Sequence, residues 1–141
     1  MYLLDVNVLI ALVDTKHVHH ETVVEWFWQH HVDGWATCPI TENGFIRILG
    51  HLNYPNGPQS ADAARSLLVA VCAQPGHQFW ADAVSIRSLA RYPELPISKH
   101  LTDYYLLASA IEKRAKLATL DKRIAPSLIA GGENALQVLW S

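Results

Sequence analysis

The sequence predicts an α/β domain with a mainly parallel sheet. Short apolar runs typical of buried strands alternate with segments in which apolar residues recur every three or four positions, as on one face of a helix. The chain has 141 residues, of which 50% are hydrophobic. That length and composition are typical of one domain with its own core, and we expect a single domain over residues 1–141.

The first half of the chain contains two predicted strands and three predicted helices. Asn7 and Thr41 carry side chains that can accept hydrogen bonds from a first helical turn, so each is expected to cap a helix. Pro39 is expected to end the second strand. In order, we predict a strand over 2–4, a helix over 7–13, a helix over 20–31, a strand over 35–38 and a helix that begins at Thr41.

The second half repeats this alternation after a surface loop over 53–59, which contains two prolines and a glycine. Its clearest helix opens at Thr102, because apolar residues follow at steps of three and four. We predict a helix from Ser60, a strand over 77–81, a helix over 83–90, the helix from Thr102, a strand over 117–120 and a strand over 135–139.

Composition limits the classes of function. With 11 Lys and Arg against 13 Asp and Glu, the net charge is -2, which excludes a general basic field for nucleic acid. Cys38 and Cys72 form no CxxC pair, so neither a disulfide framework nor a thiolate zinc site is expected. The apolar opening lacks a basic leading segment and is too short to cross a membrane, which predicts a cytoplasmic protein.

Four acids fall where predicted strands end or predicted helices begin: Asp5, Glu42, Asp103 and Asp121. In an open parallel sheet these positions share one edge, which is where such folds bind ligands. Each acid alone could be an ordinary turn or capping residue. Together they would repel one another by about 3 kcal/mol for each pair about 5 Å apart. A bound cation would offset that repulsion.

Oxygen ligands without cysteine or histidine favour a hard cation, Mg²⁺ or Mn²⁺, over zinc. Such a site can activate water and stabilise the attacking and leaving oxygens of a phosphate ester. The residues therefore predict metal-assisted hydrolysis of a phosphodiester.

The sequence also resembles the PIN-domain nucleases, most closely the VapC-type toxins of toxin–antitoxin pairs. The matching stretches are LLDVNVLIALVD, HVHHETVVEWF, PITENGFIRIL and HLTDYYLLASAIEKRAKLATLDKRI. The resemblance implies an α/β/α sandwich in which Asp5, Glu42, Asp103 and Asp121 bind Mg²⁺ or Mn²⁺ and activate a water that cuts RNA. It further implies that Asn7 and Thr119 help to orient these groups, that the protein is a homodimer, and that a cognate antitoxin inhibits it.

Some basic residues lie near the predicted acidic edge and are candidates for RNA contact: Arg47, Lys99, Lys122 and Arg123. Three alternative functions remain open. The first is a phosphatase or receiver-like domain that forms an aspartyl phosphate, although Asn7 stands where a second acid is usual. The second is a non-catalytic binding relative. The third is a metal-free ribonuclease that uses His20 and His100.

Overall fold

Strands and helices follow one another along the chain in the predicted order with two exceptions: residues 84–90 form no helix, and a short unpredicted helix, Gly132–Ala135, precedes the last strand. The structure is a computed structural model that describes residues 1–82 and 84–140. The elements are β1 (Tyr2–Leu4), α1 (Val6–Val13), α2 (His20–His30), β2 (Trp35–Thr37), α3 (Pro39–Leu49), α4 (Ala61–Cys72), β3 (His77–Phe79), α5 (Leu101–Glu112), β4 (Lys116–Thr119), α6 (Gly132–Ala135) and β5 (Leu136–Val138). Within the described ranges, no helix is both long enough and apolar enough to cross a membrane.

The five strands form one sheet in the order β3-β2-β1-β4-β5. All four neighbouring pairs are parallel, as predicted. The first strand lies at the centre, where Leu3 pairs with Ala36 of β2 on one side and with Leu117 of β4 on the other. The carboxyl ends of β1, β2 and β4 therefore lie side by side.

Helices cover both faces of the sheet, which confirms the three-layer α/β/α fold. Successive residues of a strand point to opposite faces. Leu4 and Ala118 pack in the core beneath α1 to α4, whereas Leu3 and Leu117 pack in the core beneath α5. All four are fully buried. Each buried leucine stabilises the fold by about 2 kcal/mol relative to an exposed one.

Four predicted helix starts were wrong by one or two residues, because the helices begin at Val6, Pro39, Ala61 and Leu101. Asp5, not Asn7, caps α1, because its Oδ1 accepts from the Val6 N–H at 2.7 Å. Helix α3 begins at Pro39, whose fixed φ suits the first helical position. Thr41 lies within its first turn, and its Oγ1 accepts from the Cys38 N–H at 2.9 Å. Ser60, the predicted start of α4, is its cap, because Oγ accepts from the Ala63 N–H at 3.0 Å.

The helix predicted over 83–90 was wrong for the part that the structure describes, because 84–90 form turns and irregular backbone. Ala83 lies outside the described residues. Ser85 Oγ accepts from the Arg87 N–H and Ser88 Oγ accepts from the Arg91 N–H, both at 3.2 Å. Serine side chains bonded in this way compete with helical backbone bonds.

Candidate active site

Asp5 is a buried carboxylate at the carboxyl end of the central strand. Asp5 joins the end of β1 to the first turn of α1, and the residue is only 4% exposed. Oδ1 accepts from the Val6 N–H and Oδ2 accepts from the Thr119 hydroxyl, each at 2.7 Å. Burial raises the pKa of Asp5 in spite of these two bonds, and the charge of Asp121 raises it further. Asp5 is therefore a carboxylate that a nearby cation would stabilise.

Thr119 connects the ends of β1 and β4. Its hydroxyl donates to Asp5 Oδ2 and accepts from the Asp121 N–H at 3.0 Å. Asn7 Nδ2 donates to the Thr119 hydroxyl oxygen at 3.4 Å, and Asn7 Oδ1 accepts from the Leu120 N–H at 3.1 Å. Thr119 therefore contacts the Asp5 carboxylate directly, and Asn7 contacts Thr119 and the backbone of Leu120.

Asp103 supplies a third carboxylate from the first turn of α5. Partial burial raises its pKa to about 6, and the charges of Asp5 and Asp121 add to the rise, while Arg123 opposes it. Asp5, Asp103 and Asp121 therefore lie close enough for their charges to repel. The sequence prediction placed these three acids at one edge, and the fold places their elements there.

Asp121 lies two residues beyond β4 and is held by Arg123. Its Oδ1 accepts from the Arg123 N–H at 2.8 Å and from Nε at 3.1 Å, while Oδ2 accepts from Nη2 at 3.3 Å. Partial burial acts to raise the pKa of Asp121, but the contacts with Arg123 outweigh it and the pKa is lowered. Asp121 is thus kept ionised and oriented.

Glu42 lies in the first turn of α3, and its carboxylate contacts a different set of side chains. Oε2 accepts from the Thr37 hydroxyl at 2.6 Å, and this hydroxyl lies 2.8 Å from His77 Nε2. No hydrogen bond among the described residues joins Glu42 to the other three acids. Its participation in one metal site with them stays a prediction.

The donor set of Asp5, Asp103 and Asp121 fits a hard divalent cation. All their donors are carboxylate oxygens, which Mg²⁺ and Mn²⁺ prefer. Burial raises the pKa values of Asp5 and Asp103, and the charge of Asp121 adds to both rises, so the ionised carboxylates are disfavoured without a partner of opposite charge. A divalent cation would be such a partner.

Comparison with known proteins identifies the family. A family model described as PIN domain matches residues 2–126. The chain belongs to the PIN-domain family. Ribonuclease VapC44 of Mycobacterium tuberculosis is 40% identical over 131 residues, which is 92% of this chain and 92% of that protein. Ribonuclease VapC38 of the same organism is 42% identical over 122 residues, 86% of this chain and 85% of that protein. The resemblance predicted from the sequence motifs is confirmed.

Solved structures share the fold of this PIN domain. The crystal structure of Mycobacterium tuberculosis VapC20, described as a sarcin-ricin loop cleaving toxin, matches with a TM-score of 0.64 and 13% identity, covering 92% of this chain and 96% of that one. The crystal structure of FitAcB from Neisseria gonorrhoeae matches with a TM-score of 0.61 and 20% identity, covering 99% of each chain. At these identities the likeness shows the fold alone.

Basic residues of the PIN domain differ in their distance from the acids. An open depression of about 370 Å³ is lined by Asn7, Leu120, Asp121, Lys122, Arg123 and Trp140. Lys122 Nζ lies 3.8 Å from the centre of the Trp140 ring, and Trp140 Nε1 donates to the Leu120 carbonyl at 2.7 Å. Lys99 is exposed in the turn before α5. Arg47 lies in the last turn of α3, about 12 Å along the helix from its first residue, and its contact with RNA stays a prediction.

Sequence reasoning missed Trp140, Thr37, Cys72 and His77. Trp140 follows the last strand, and its position as an aromatic residue near a strand end could have suggested that it lines the site. Thr37 and His77 lie on neighbouring strands and Cys72 ends α4. No spacing along the chain indicates that Thr37, Cys72 and His77 meet, because the short connection from α4 to β3 and the pairing of β3 with β2 bring them together. Burial lowers the pKa of His77 and raises the pKa of the Cys72 thiol.

Proposed function

We propose that residues 1–141 act as one PIN domain with divalent-metal-dependent endoribonuclease activity, as the cytoplasmic toxin of a type II toxin–antitoxin pair. The observation that carries the proposal is the convergence of Asp5, Asp103 and Asp121 at the carboxyl edge of the sheet, where burial, helped by the charge of Asp121, raises the pKa values of Asp5 and Asp103. The names of the relatives that share about 40% of their residues, Ribonuclease VapC44 and VapC39, support RNA as the substrate.

Each residue of the site has a defined part in this proposal. Asp5, Asp103 and Asp121 would hold the cation, with Glu42 as the predicted fourth acid. Mg²⁺ or Mn²⁺, when bound, would supply charge for the phosphate and lower the pKa of a water molecule. The Thr119 hydroxyl keeps Asp5 Oδ2 in one orientation, and Arg123 does the same for both oxygens of Asp121. Fixed carboxylates of this kind need little rearrangement during reaction.

Removal of divalent cations is expected to stop RNA cleavage. EDTA should lower the rate by about 100-fold or more, since the cation supplies several kcal/mol of the transition-state stabilisation. Excess Mg²⁺ or Mn²⁺ should restore the rate, measured as cleavage of a labelled RNA. Undiminished cleavage in EDTA would favour the metal-free alternative with His20 and His100. In that alternative His20 would act through Nε2, because its Nδ1 lies 2.6 Å from the Ala11 carbonyl.

The aspartyl-phosphate alternative is disfavoured by the surroundings of Asp5. Both of its oxygens accept short hydrogen bonds and its side chain is buried. A carboxylate engaged in this way is a poor nucleophile toward a phosphate ester. Incubation with a labelled acyl phosphate should leave the protein unlabelled, and covalent labelling at Asp5 would contradict the nuclease proposal.

The depression beside Asp121 is the proposed contact surface for the RNA strand. Lys122 can neutralise a phosphate from its position over the Trp140 ring. Lys122→Ala should weaken RNA binding and reduce the salt dependence of the affinity by about one counterion. Binding is measured by fluorescence anisotropy at several salt concentrations.

Lys113→Ala is the matched control for Lys122→Ala. Lys113 also lies over a tryptophan ring, that of Trp80, at 5.7 Å, but it follows the carboxyl end of α5. The control should bind RNA like the parent protein. An equal loss in both variants would mean that Lys122 acts only through net charge.

The predicted homodimer and the predicted antitoxin belong to the same proposal. Several large apolar side chains are more than half exposed: Trp28, Val32, Leu52 and Val69. Exposed aromatic and aliphatic residues of this size commonly anchor protein interfaces. Light scattering of the purified chain tests the dimer, and co-purification with the protein of an adjacent gene tests the antitoxin.

A further inference from the structure

We propose that His19, in the turn before α2, is a further RNA-contact residue that binds the phosphate backbone of the strand beside the phosphate bound by Lys122. This inference rests on the proposed ribonuclease function. It extends the path of the RNA from the three aspartates across Trp140 to the start of α2. The observation that carries it is that His19 and Lys122 both pack against the Trp140 ring.

The Trp140 ring holds both side chains at the depression beside Asp121. Its centre lies 4.6 Å from the centre of the His19 ring and 3.8 Å from Lys122 Nζ. Trp140 is itself anchored, because its Nε1 donates to the carbonyl of Leu120, the residue before Asp121. Trp140, Lys122 and Asp121 all line the depression. The His19 imidazole, which packs on this ring, therefore lies at the rim of the depression.

His19 differs from the other two histidines of this turn in what its ring contacts. His17 Nδ1 accepts from the His19 N–H at 3.0 Å, and His20 Nδ1 lies 2.6 Å from the Ala11 carbonyl. Both of these rings therefore help to fix the backbone between α1 and α2. Within residues 1–82 and 84–140, the His19 ring makes no hydrogen bond. Because the ring is half-buried, its N–H can still reach a ligand.

The chemistry of His19 and Lys122 is suited to a nucleic-acid backbone. An imidazole carries at least one N–H that can donate to a phosphate oxygen, and the Lys122 ammonium adds positive charge. Such contacts position a strand without reading its bases. With a net charge of -2, the chain has no general basic field that would attract RNA. The strand therefore depends on local donors of this kind.

Binding of a fluorescently labelled oligouridine to the full chain in EDTA tests the contact without requiring cleavage. His19→Phe keeps an aromatic ring against Trp140 and removes the N–H donor, so it should weaken binding by about tenfold. His30→Phe is the matched control at the other end of α2. The His30 ring also stacks on a tryptophan, Trp26, with ring centres 4.9 Å apart, and its replacement should leave the affinity unchanged.

A double variant shows whether His19 contacts RNA itself or acts only through Lys122. If His19 merely held Lys122 in place through Trp140, His19→Phe would change nothing in a Lys122→Ala background. A direct contact predicts a further loss of about fivefold or more there. The loss should also be equal for oligoadenosine and oligouridine, since a phosphate contact does not depend on the base. No further loss in the double variant, or a loss confined to one of the two RNAs, would overturn the proposal.

Chemical protection of the parent protein supplies the same test should circular dichroism show that His19→Phe is unfolded. Diethyl pyrocarbonate modifies histidine rings, and bound oligouridine should slow its reaction with His19 but not with His30, as measured by mass spectrometry of the digested protein. An unchanged rate at His19 would overturn the contact, as would a parent protein that binds no oligouridine. A parent protein that binds oligouridine but cuts no RNA in Mg²⁺ would contradict only the ribonuclease proposal.

Discussion

Asp103→Asn is expected to reduce RNA cleavage by about 1000-fold or more, which corresponds to about 4 kcal/mol of lost transition-state stabilisation. Asparagine keeps the size of the side chain but removes the charge that would hold the cation. The rate constant with saturating Mg²⁺ is the measurement. Asp62→Asn, an exposed acid in the first turn of α4, is the matched control and should cleave normally. Cleavage by Asp103→Asn at the parent rate would contradict the site.

The same variant is expected to fold more stably in EDTA at neutral pH. The pKa of Asp103 rises from 3.8 to about 6 on folding. The ionised form is therefore disfavoured in the folded state, and this penalty is complete above pH 6 and absent below the unfolded pKa. Because the side chain is half-exposed, we expect solvent to reduce the gain in unfolding free energy to about 1 kcal/mol at pH 7.5.

Urea denaturation at pH 7.5 and at pH 3.5 measures that difference. The gain of Asp103→Asn over the parent should be present at the higher pH and nearly vanish at the lower one, where the parent carboxyl is mostly protonated in both states. A gain of equal size at both pH values would mean that charge repulsion is not its cause.

Thr119→Val should produce the largest loss of stability among single changes at the site. Valine fits the space of threonine, but Asp5 Oδ2 loses a buried donor and the Asp121 N–H loses its acceptor. We expect the unfolding free energy to fall by about 2–3 kcal/mol. The thermal midpoint should drop by roughly 5–10 °C. Cleavage should also fall at least about tenfold, because Asp5 is no longer oriented.

Thr119→Ser separates the hydroxyl from the methyl group. Serine restores both hydrogen bonds and removes only one buried methyl, so most of the stability and nearly all of the cleavage should return. A serine variant as inactive as Thr119→Val would indicate that packing by the methyl group, rather than the hydroxyl, positions Asp5.

The sequence was sufficient to predict the positions of Asp5, Asp103 and Asp121, because these positions depend only on the topology of the sheet. Asp5 and Asp121 follow strands, and Asp103 lies in the first turn of a strongly periodic helix. A parallel sheet brings such positions to one edge whatever the side chains between them are. Fold class and the three strand-end or helix-start positions were therefore accessible from hydrophobic periodicity.

The direction in which a side chain points could not be predicted from hydrophobic periodicity. Glu42 turns toward Thr37 because a buried hydroxyl is within reach on the neighbouring strand end, and no spacing along the chain encodes that contact. The predicted helix over 83–90 failed for a local reason, since Ser85 and Ser88 satisfy backbone N–H groups that a helix would have used. Both cases depend on competition for hydrogen bonds rather than on hydrophobic pattern.

The central position of the first strand controls when the protein can become harmful during its own synthesis. Asp5 receives its hydroxyl partner from a residue 114 positions later. A ribosome that has translated only the amino-terminal half has therefore produced a polypeptide that cannot yet cut nucleic acid. The order of translation itself delays cleavage until Thr119 and the residues of the site that follow it have been synthesised.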